Sequence, residues 1–309
     1  MLSLLCASAF AIDVTLSDPG SLDGEWAQDV VQGQSESARA FLAFVGHGMM
    51  EQAFTLQHAP LEGAAALPDA DGFSLGVRFD TFPLRDPPVN GQGKVENTQY
   101  VPALPRITAT WAQADRLRYG GGVSLTPPVN VGGASALVVG GDIGVAWPAL
   151  SKLTVGLEAD VTAGQAYAPV VATPEARAAG VLENVDEARY EAVCVPQAHG
   201  CIDSLLIRHG GLHLVVVSPL HAKVQPFFRV GGRMVADRFL IQVDLSDWRV
   251  TGLLPNFSLG ANVSLAPWLR LAAGATFAPM PEEVVQAGET GILSRFSLGV
   301  AWAPGGARR

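Results

Sequence analysis

Apolar and polar side chains alternate at a period of two residues in one segment after another from residue 72 onward. The first such segment is 73–80 (FSLGVRFD) and the last is 296–302 (FSLGVAW). A period of two puts one set of side chains on each face of a β-strand. The pattern therefore predicts half-polar strands at 73–80, 107–112, 119–125, 137–147, 153–162, 204–217, 224–234, 257–265, 269–277 and 296–302.

The connections between these segments alternate between short and long. The short ones lie at 115–117, 148–152, 218–222 and 266–268, and the long ones at 84–105, 128–134, 164–202, 236–255 and 279–293. Short turns at one end and longer loops at the other are typical of an antiparallel transmembrane β-barrel, whereas a soluble sandwich has no reason to alternate them. We expect an all-β barrel of about ten strands, or up to twelve if 238–251 adds a hairpin.

Composition favours a membrane protein over a soluble one. Apolar residues make up 49% of the chain and charged residues 16%, against roughly 25% charged in a soluble domain. No run approaches the 18 or so apolar residues that a spanning helix needs, so a closed barrel is the remaining way to cross a bilayer. The net charge of −9 argues against a nucleic-acid partner.

Aromatic residues fall into two groups by their place in this up-and-down order. Tryptophans mark the short-turn end and phenylalanines the long-loop end. Amphipathic rings prefer the two interfaces of a bilayer, so we expect two aromatic girdles. Their members are Trp111, Trp147, Trp268 and Trp302 at one end, and Phe79, Phe257, Phe277 and Phe296 at the other.

These features make residues 71–303 resemble the outer-membrane β-barrel proteins of Gram-negative bacteria. The segment 296–302 looks like the aromatic last strand that such proteins present to the barrel assembly machinery, although a tail, 304–309, follows it. The resemblance implies a location in the cell outer membrane, with outer-membrane lipid and the assembly machinery as partners.

The N-terminal part lacks the alternation. Residues 2–10 are mostly apolar and Ala9-Phe10-Ala11 fits a cleavage site, which predicts a signal peptide at 1–11. Within 12–70, helical spacing predicts a helix over roughly 36–55. A helix before the first strand is similar to the plug of long-chain fatty-acid transporters. We expect this segment either to plug the lumen or to lie in the periplasm.

Charged residues concentrate on the polar faces of the predicted strands. One interpretation makes them the lining of a pore or a ligand site. The other, which the narrowness of a ten-strand barrel favours, makes them ion pairs that fill the lumen. The candidates are Arg78, Asp80, Asp142, Glu158, Asp160, Arg229, Arg233, Arg270 and Arg295. The function we expect is structural, or a narrow channel for small or hydrophobic solutes.

Two other functions stay open. A membrane-embedded hydrolase of lipase or protease type would need a base beside a nucleophile. His209 and His213 share a strand, with Ser218 and His221 at its end, but no spacing indicates a triad, and histidines at a strand end are more often interfacial or solvated. A surface binding module would lie in the loop 164–202, where Cys194 and Cys201 are expected to form a disulfide in an oxidising compartment. We expect no catalytic residue, metal site or cofactor.

Overall fold

The structure, a computed structural model, describes twelve parts of the chain. They are residues 12–18, 50, 53–58, 72–81, 104–114, 117–128, 135–150, 153–170, 201–218, 223–241, 246–280 and 291–303. The predicted signal peptide, most of the predicted helix, Cys194 and the C-terminal tail lie outside the described residues. No helix in the described residues has the length and apolar character needed to cross a membrane.

Eleven strands account for nearly all of these residues. They are β1 (Ile12–Asp18), β2 (Gly72–Thr81), β3 (Leu104–Ala114), β4 (Arg118–Thr126), β5 (Ser135–Leu150), β6 (Leu153–Val170), β7 (Cys201–Val217), β8 (Val224–Ile241), β9 (Ser246–Ala266), β10 (Leu269–Pro279) and β11 (Ile292–Trp302).

The ten strands β2–β11 close into an antiparallel barrel. Each strand pairs with its neighbours in sequence, and β11 pairs with β2 in a register that sets Leu298 opposite Phe79. This closure leaves no free edge in the wall, which satisfies the backbone groups in a medium that offers no hydrogen bonds. The prediction of an all-β barrel of about ten strands is confirmed.

The two faces of the wall differ sharply in chemistry. Large apolar side chains cover the outside, among them Ile143 at 68%, Val161 at 62% and Leu298 at 58% exposed. Arginines, carboxylates and hydroxyls fill the inside, and most of them are less than 8% exposed. A water-soluble protein does not expose a continuous apolar band of this kind, whereas bilayer hydrocarbon covers it.

One connection differs from the sequence-based expectation. The stretch 236–255 was expected to be a long loop, or at 238–251 an added hairpin. In the structure β8 and β9 extend through it as paired strands, from Val224↔Val263 to Ile241↔Ser246, and four residues join them. The wall thus stays at ten strands and is taller on this side, because pairing continues beyond the neighbouring β10 and β11.

The lumen is layered. Near the long-loop ends of the strands lies an apolar cluster that includes Trp248, Leu254 and Ile207, all buried. A smaller apolar cluster, with Val217 and Phe227, lies near the short-turn ends. Most of the buried charged residues lie between these two layers.

Besides Met50, two pieces of the N-terminal part are described. β1, which the sequence analysis missed, pairs with the upper half of β9, with Val14 opposite Val250. A helical turn at 53–56 continues to His58, and all six residues are buried inside the barrel. We call residues 53–58 the luminal segment. It contains only the end of the helix expected at 36–55; residues 36–49 lie outside the described part.

Candidate functional site

A belt of buried charge surrounds the luminal segment at mid-height. All nine charged candidates from the sequence are buried, and the structure adds Arg106, His209, His213 and Asp237. They occupy every second position of their strands, so their side chains point toward the lumen. Closure of the barrel brings side chains from distant strands close to one another there. Desolvated charge is costly unless paired, so the partners of each group matter.

The acidic side of the belt lies on β5 and β6. Glu158 contacts Arg229 at 3.0 Å, and Asp160 contacts Arg233 at 2.5 Å. His213 also contacts this side, since its Nε2 lies 3.2 Å from Asp160 Oδ2. Asp160 is directly opposite another carboxylate, Asp142, in the register of β5 and β6. Like charges in that position repel, so the arginines of β8 stabilise this side.

The arginine side lies on β2, β3 and β11. The Asp80 carboxylate contacts Arg106 at 2.5 Å and Arg78 at 3.0 Å, and it accepts a hydrogen bond from Ser297 at 2.6 Å. Arg78 and Arg106 are cross-strand partners, which would repel without the carboxylate between them. Arg295 on β11 is fully buried beside them.

The luminal segment presents its carbonyl oxygens to these arginines. Arg295 Nη1 donates to the Phe54 carbonyl at 3.2 Å and the Gln57 carbonyl at 2.7 Å. Arg106 Nη2 donates to the Thr55 carbonyl at 3.0 Å. The last carbonyls of a helix have no partner within it and carry partial negative charge, so guanidinium groups satisfy them well. The Arg295 guanidinium also lies 5.7 Å from the centre of the Phe54 ring.

His58 contacts the opposite wall. Its backbone N–H donates to Thr162 Oγ1 at 2.7 Å, while its ring nitrogens lie 2.8 Å from Ser124 Oγ and 2.8 Å from Asp142 Oδ1. A neutral ring fits both contacts if Nε2–H donates to the carboxylate and Nδ1 accepts from the hydroxyl. Gly140 makes room for this ring, because a Cβ there would lie 2.3 Å from the His58 Cβ.

Ser124, His58 and Asp142 stand in the order of a nucleophile, a base and an orienting acid. Ser124 is only 2% exposed, however. A cavity of about 30 Å³ beside His58, Arg78 and Asp142 holds at most about two water molecules. In this arrangement the three side chains anchor the luminal segment, and no substrate of ordinary size reaches the hydroxyl while the segment is in place.

Sequence reasoning missed several residues of this site. His209 and His213, for which the sequence indicated no triad, are both buried, with His209 Nε2 2.8 Å from Asp237. β7 pairs with β6 without a register shift, and its odd-numbered residues from Leu205 to Val217 turn inward. Arg106 precedes the strand predicted at 107–112 by one residue, and extending the alternation of that strand by one residue would have placed Arg106 inside. Nothing local to the sequence marks His58, because its partners come from three separate strands.

The remaining predicted residues have simpler surroundings. Arg270 is buried near the short-turn end of β10. The eight girdle candidates lie on the outer face, and at the long-loop end the Phe257 and Phe277 rings stack at 5.0 Å between centroids. Cys201 begins β7, but its side chain is outside the described residues. In the described part of the chain, no three His, Cys, Asp or Glu side chains are grouped so that they could hold a metal ion.

Comparison with known proteins gives structural matches only. The toluene transporter TodX of Pseudomonas putida is similar at 12% identity over 79% of this chain and 92% of its own, with a TM-score of 0.34. The attachment invasion locus protein Ail of Yersinia pestis is similar at 7% identity over 75% and 99%, with a TM-score of 0.31. A Pseudomonas aeruginosa FadL homologue is similar at 9% identity over 78% and 92%, with a TM-score of 0.31. No protein-family model matches the chain, and no curated protein does.

The closed wall and its apolar outer face decide where the protein resides. It is a transmembrane β-barrel protein.

Proposed function

We propose that the protein is an outer-membrane channel for small solutes, and that the luminal segment closes it. The observation that carries this proposal is the position of residues 53–58. They lie in the middle of the lumen, accept hydrogen bonds from Arg106 and Arg295 on one wall, and donate to Thr162 on the other. A barrel with a purely structural role needs only wall-to-wall ion pairs to fill its interior.

The attachments of this segment are of a kind that can be released. The luminal segment contributes nothing to the ladder of strand pairs, and β11 pairs with β2 without it. Its polar contacts are individual hydrogen bonds to the wall, each with a net value of about 0.5–3 kcal/mol. If the luminal segment moved, the ring of paired strands would therefore stay intact, and the segment would no longer block the lumen.

Gly140 offers a way to move the segment without altering a charge. In Gly140→Ala the new methyl group would overlap the His58 Cβ and Cγ, at 2.3 and 2.6 Å. Gly141→Ala is the matched control, because its methyl group points outward and meets its nearest neighbour at 3.4 Å. Both variants keep a strand conformation that alanine adopts readily.

Single-channel conductance in planar bilayers tests the proposal. We expect little or no steady conductance from the wild type and the Gly141 variant, and at least about tenfold more from Gly140→Ala. Phe54→Ala/His58→Ala, which removes two anchors from the segment and none from the wall, should act in the same direction. Folded barrels of both variants with wild-type conductance would contradict a channel and favour a structural role.

A hydrolase is the second candidate, because Ser124, His58 and Asp142 are joined by two contacts of 2.8 Å. It predicts that a fluorophosphonate probe labels Ser124, and that Ser124→Ala abolishes turnover of phospholipid. Ser258→Ala is the control, since Ser258 is equally buried and bonds only to Thr276 among the described contacts. Absence of labelling at Ser124 in both the wild type and Gly140→Ala would exclude this candidate.

A further inference from the structure

The arginine side of the belt holds more positive than negative charge. Three guanidinium groups, those of Arg78, Arg106 and Arg295, lie together on β2, β3 and β11. The Asp80 carboxylate contacts Arg78 and Arg106. Arg295 is fully buried, and no ion pair between described side chains includes it. Buried guanidinium groups need acceptor oxygens, and these must come from elsewhere.

Backbone carbonyls of the luminal segment supply those oxygens. Three of them accept from Arg106 and Arg295 at 2.7–3.2 Å, which is the spacing of N–H donors around a bound anion. The carbonyls carry only partial charge, so they satisfy hydrogen bonds without neutralising the two cations. A carboxylate or phosphate group would do both.

The acidic side does not show the same deficit. Glu158 is paired with Arg229, and Asp160 with both Arg233 and His213. If the luminal segment leaves, Asp142, Ser124 and Thr162 lose their contacts to His58, and none of these three groups is a cation. The cations that lose hydrogen bonds are Arg106 and Arg295, which donate three between them to the segment and would then need other acceptor oxygens.

We infer that Arg106 and Arg295 form a binding site for the carboxylate or phosphate group of a solute, and that the carbonyls of the luminal segment cover this site when the barrel is closed. This inference rests on the proposed function, because it assigns a solute class to the same lumen. An anion that binds only when the segment has moved shifts the equilibrium toward the open barrel by mass action.

Thiol labelling of the luminal segment measures that shift in the full-length protein. Ala53 is 3% exposed, so in Ala53→Cys the thiol should react with a maleimide only after the segment moves. The native cysteines, Cys6, Cys194 and Cys201, are replaced by serine in this background. Labelling rates are compared at constant ionic strength while inorganic phosphate, or in a second series acetate, replaces chloride.

We expect the labelling rate to rise with the concentration of the anion, by roughly tenfold when it reaches ten times its dissociation constant. Arg295→Gln should raise the rate without added anion by roughly tenfold, because two hydrogen bonds to the segment are lost. It should also abolish the response to phosphate and acetate. Arg238→Gln, at an exposed arginine paired with Asp247 on the rim, should change neither rate.

The outcomes separate this inference from the proposed function. A rate that neither phosphate nor acetate changes overturns the anion site, whether or not Gly140→Ala conducts. A response that persists in Arg295→Gln assigns the effect to another group and overturns it equally. If labelling responds as expected but no variant conducts, the anion site stands and the channel does not.

Discussion

Asp160 and Arg233 form an ion pair across an intervening strand. They lie on β6 and β8, and the residue opposite both of them, on β7, is Gly211. Arg233 Nη2 reaches Asp160 Oδ1 at 2.5 Å through the space that a side chain would occupy. A Cβ at position 211 would lie 2.6 Å from the Asp160 carboxylate and 2.9 Å from His213 Nε2.

Gly211→Ala should therefore destabilise the barrel by about 1–3 kcal/mol, because the methyl group displaces a buried carboxylate from its partner. Gly210→Ala is the neighbouring control, since the nearest atom to its new methyl group is 4.0 Å away. The temperature at which the folded band disappears on a gel, or a urea titration, measures the difference. Equal stability of the two variants would show that Gly211 is not required for the pair.

The position of a residue along the apolar outer face predicts how much an arginine at that position impairs assembly. Ile143 is 68% exposed near the middle of β5, and Leu150 is 70% exposed at its short-turn end. Arginine on the lipid face costs roughly 2–4 kcal/mol at the bilayer midplane and about 0–1 kcal/mol near an interface. Ile143→Arg should thus impair assembly into liposomes far more than Leu150→Arg. Similar yields would place the bilayer elsewhere on the wall.

Thr162 holds the luminal segment through one hydrogen bond, and its removal has a local signature. Thr162→Val leaves the His58 N–H without an acceptor, at a cost of about 1–3 kcal/mol. Amide hydrogen exchange at His58 should become about tenfold faster or more. Thr126→Val is the control, because the buried Thr126 hydroxyl has no hydrogen-bond partner among the described atoms. Unchanged exchange in both would mean that this bond does not hold the segment.

Cys194 and Cys201 are predicted to be joined by a disulfide on the long-loop side. The pair encloses a short ring next to the start of β7, so the bond would add roughly 2–3 kcal/mol at most and would chiefly shape the loop. Alkylation without reductant should leave both thiols unmodified, and mass spectrometry of a digest should show the linked peptides. Free thiols in protein taken from intact cells would disprove the bond.

The sequence alone determined the barrel. Alternation of apolar and polar residues is a local property, and a strand such as 73–80 shows it without knowledge of its neighbours. The same period placed Asp142, Asp160 and Arg233 on the inner face. The alternation of short and long connections then fixed the antiparallel order, and the near absence of charge outside implied lipid. These inferences need only the two-residue repeat of an extended chain.

Only the tertiary structure decided how the interior is filled. His58 contacts Ser124, Asp142 and Thr162, and Arg295 contacts residues more than 230 positions away in the chain. β1 likewise pairs with residues of β9 that lie 229 to 240 positions away in the chain. Such contacts exist because closure curves the wall until distant strands face one segment. No local sequence pattern encodes these contacts. They depend on the number of strands, which sets the width of the lumen, and on a small residue such as Gly140 that leaves room for the luminal segment.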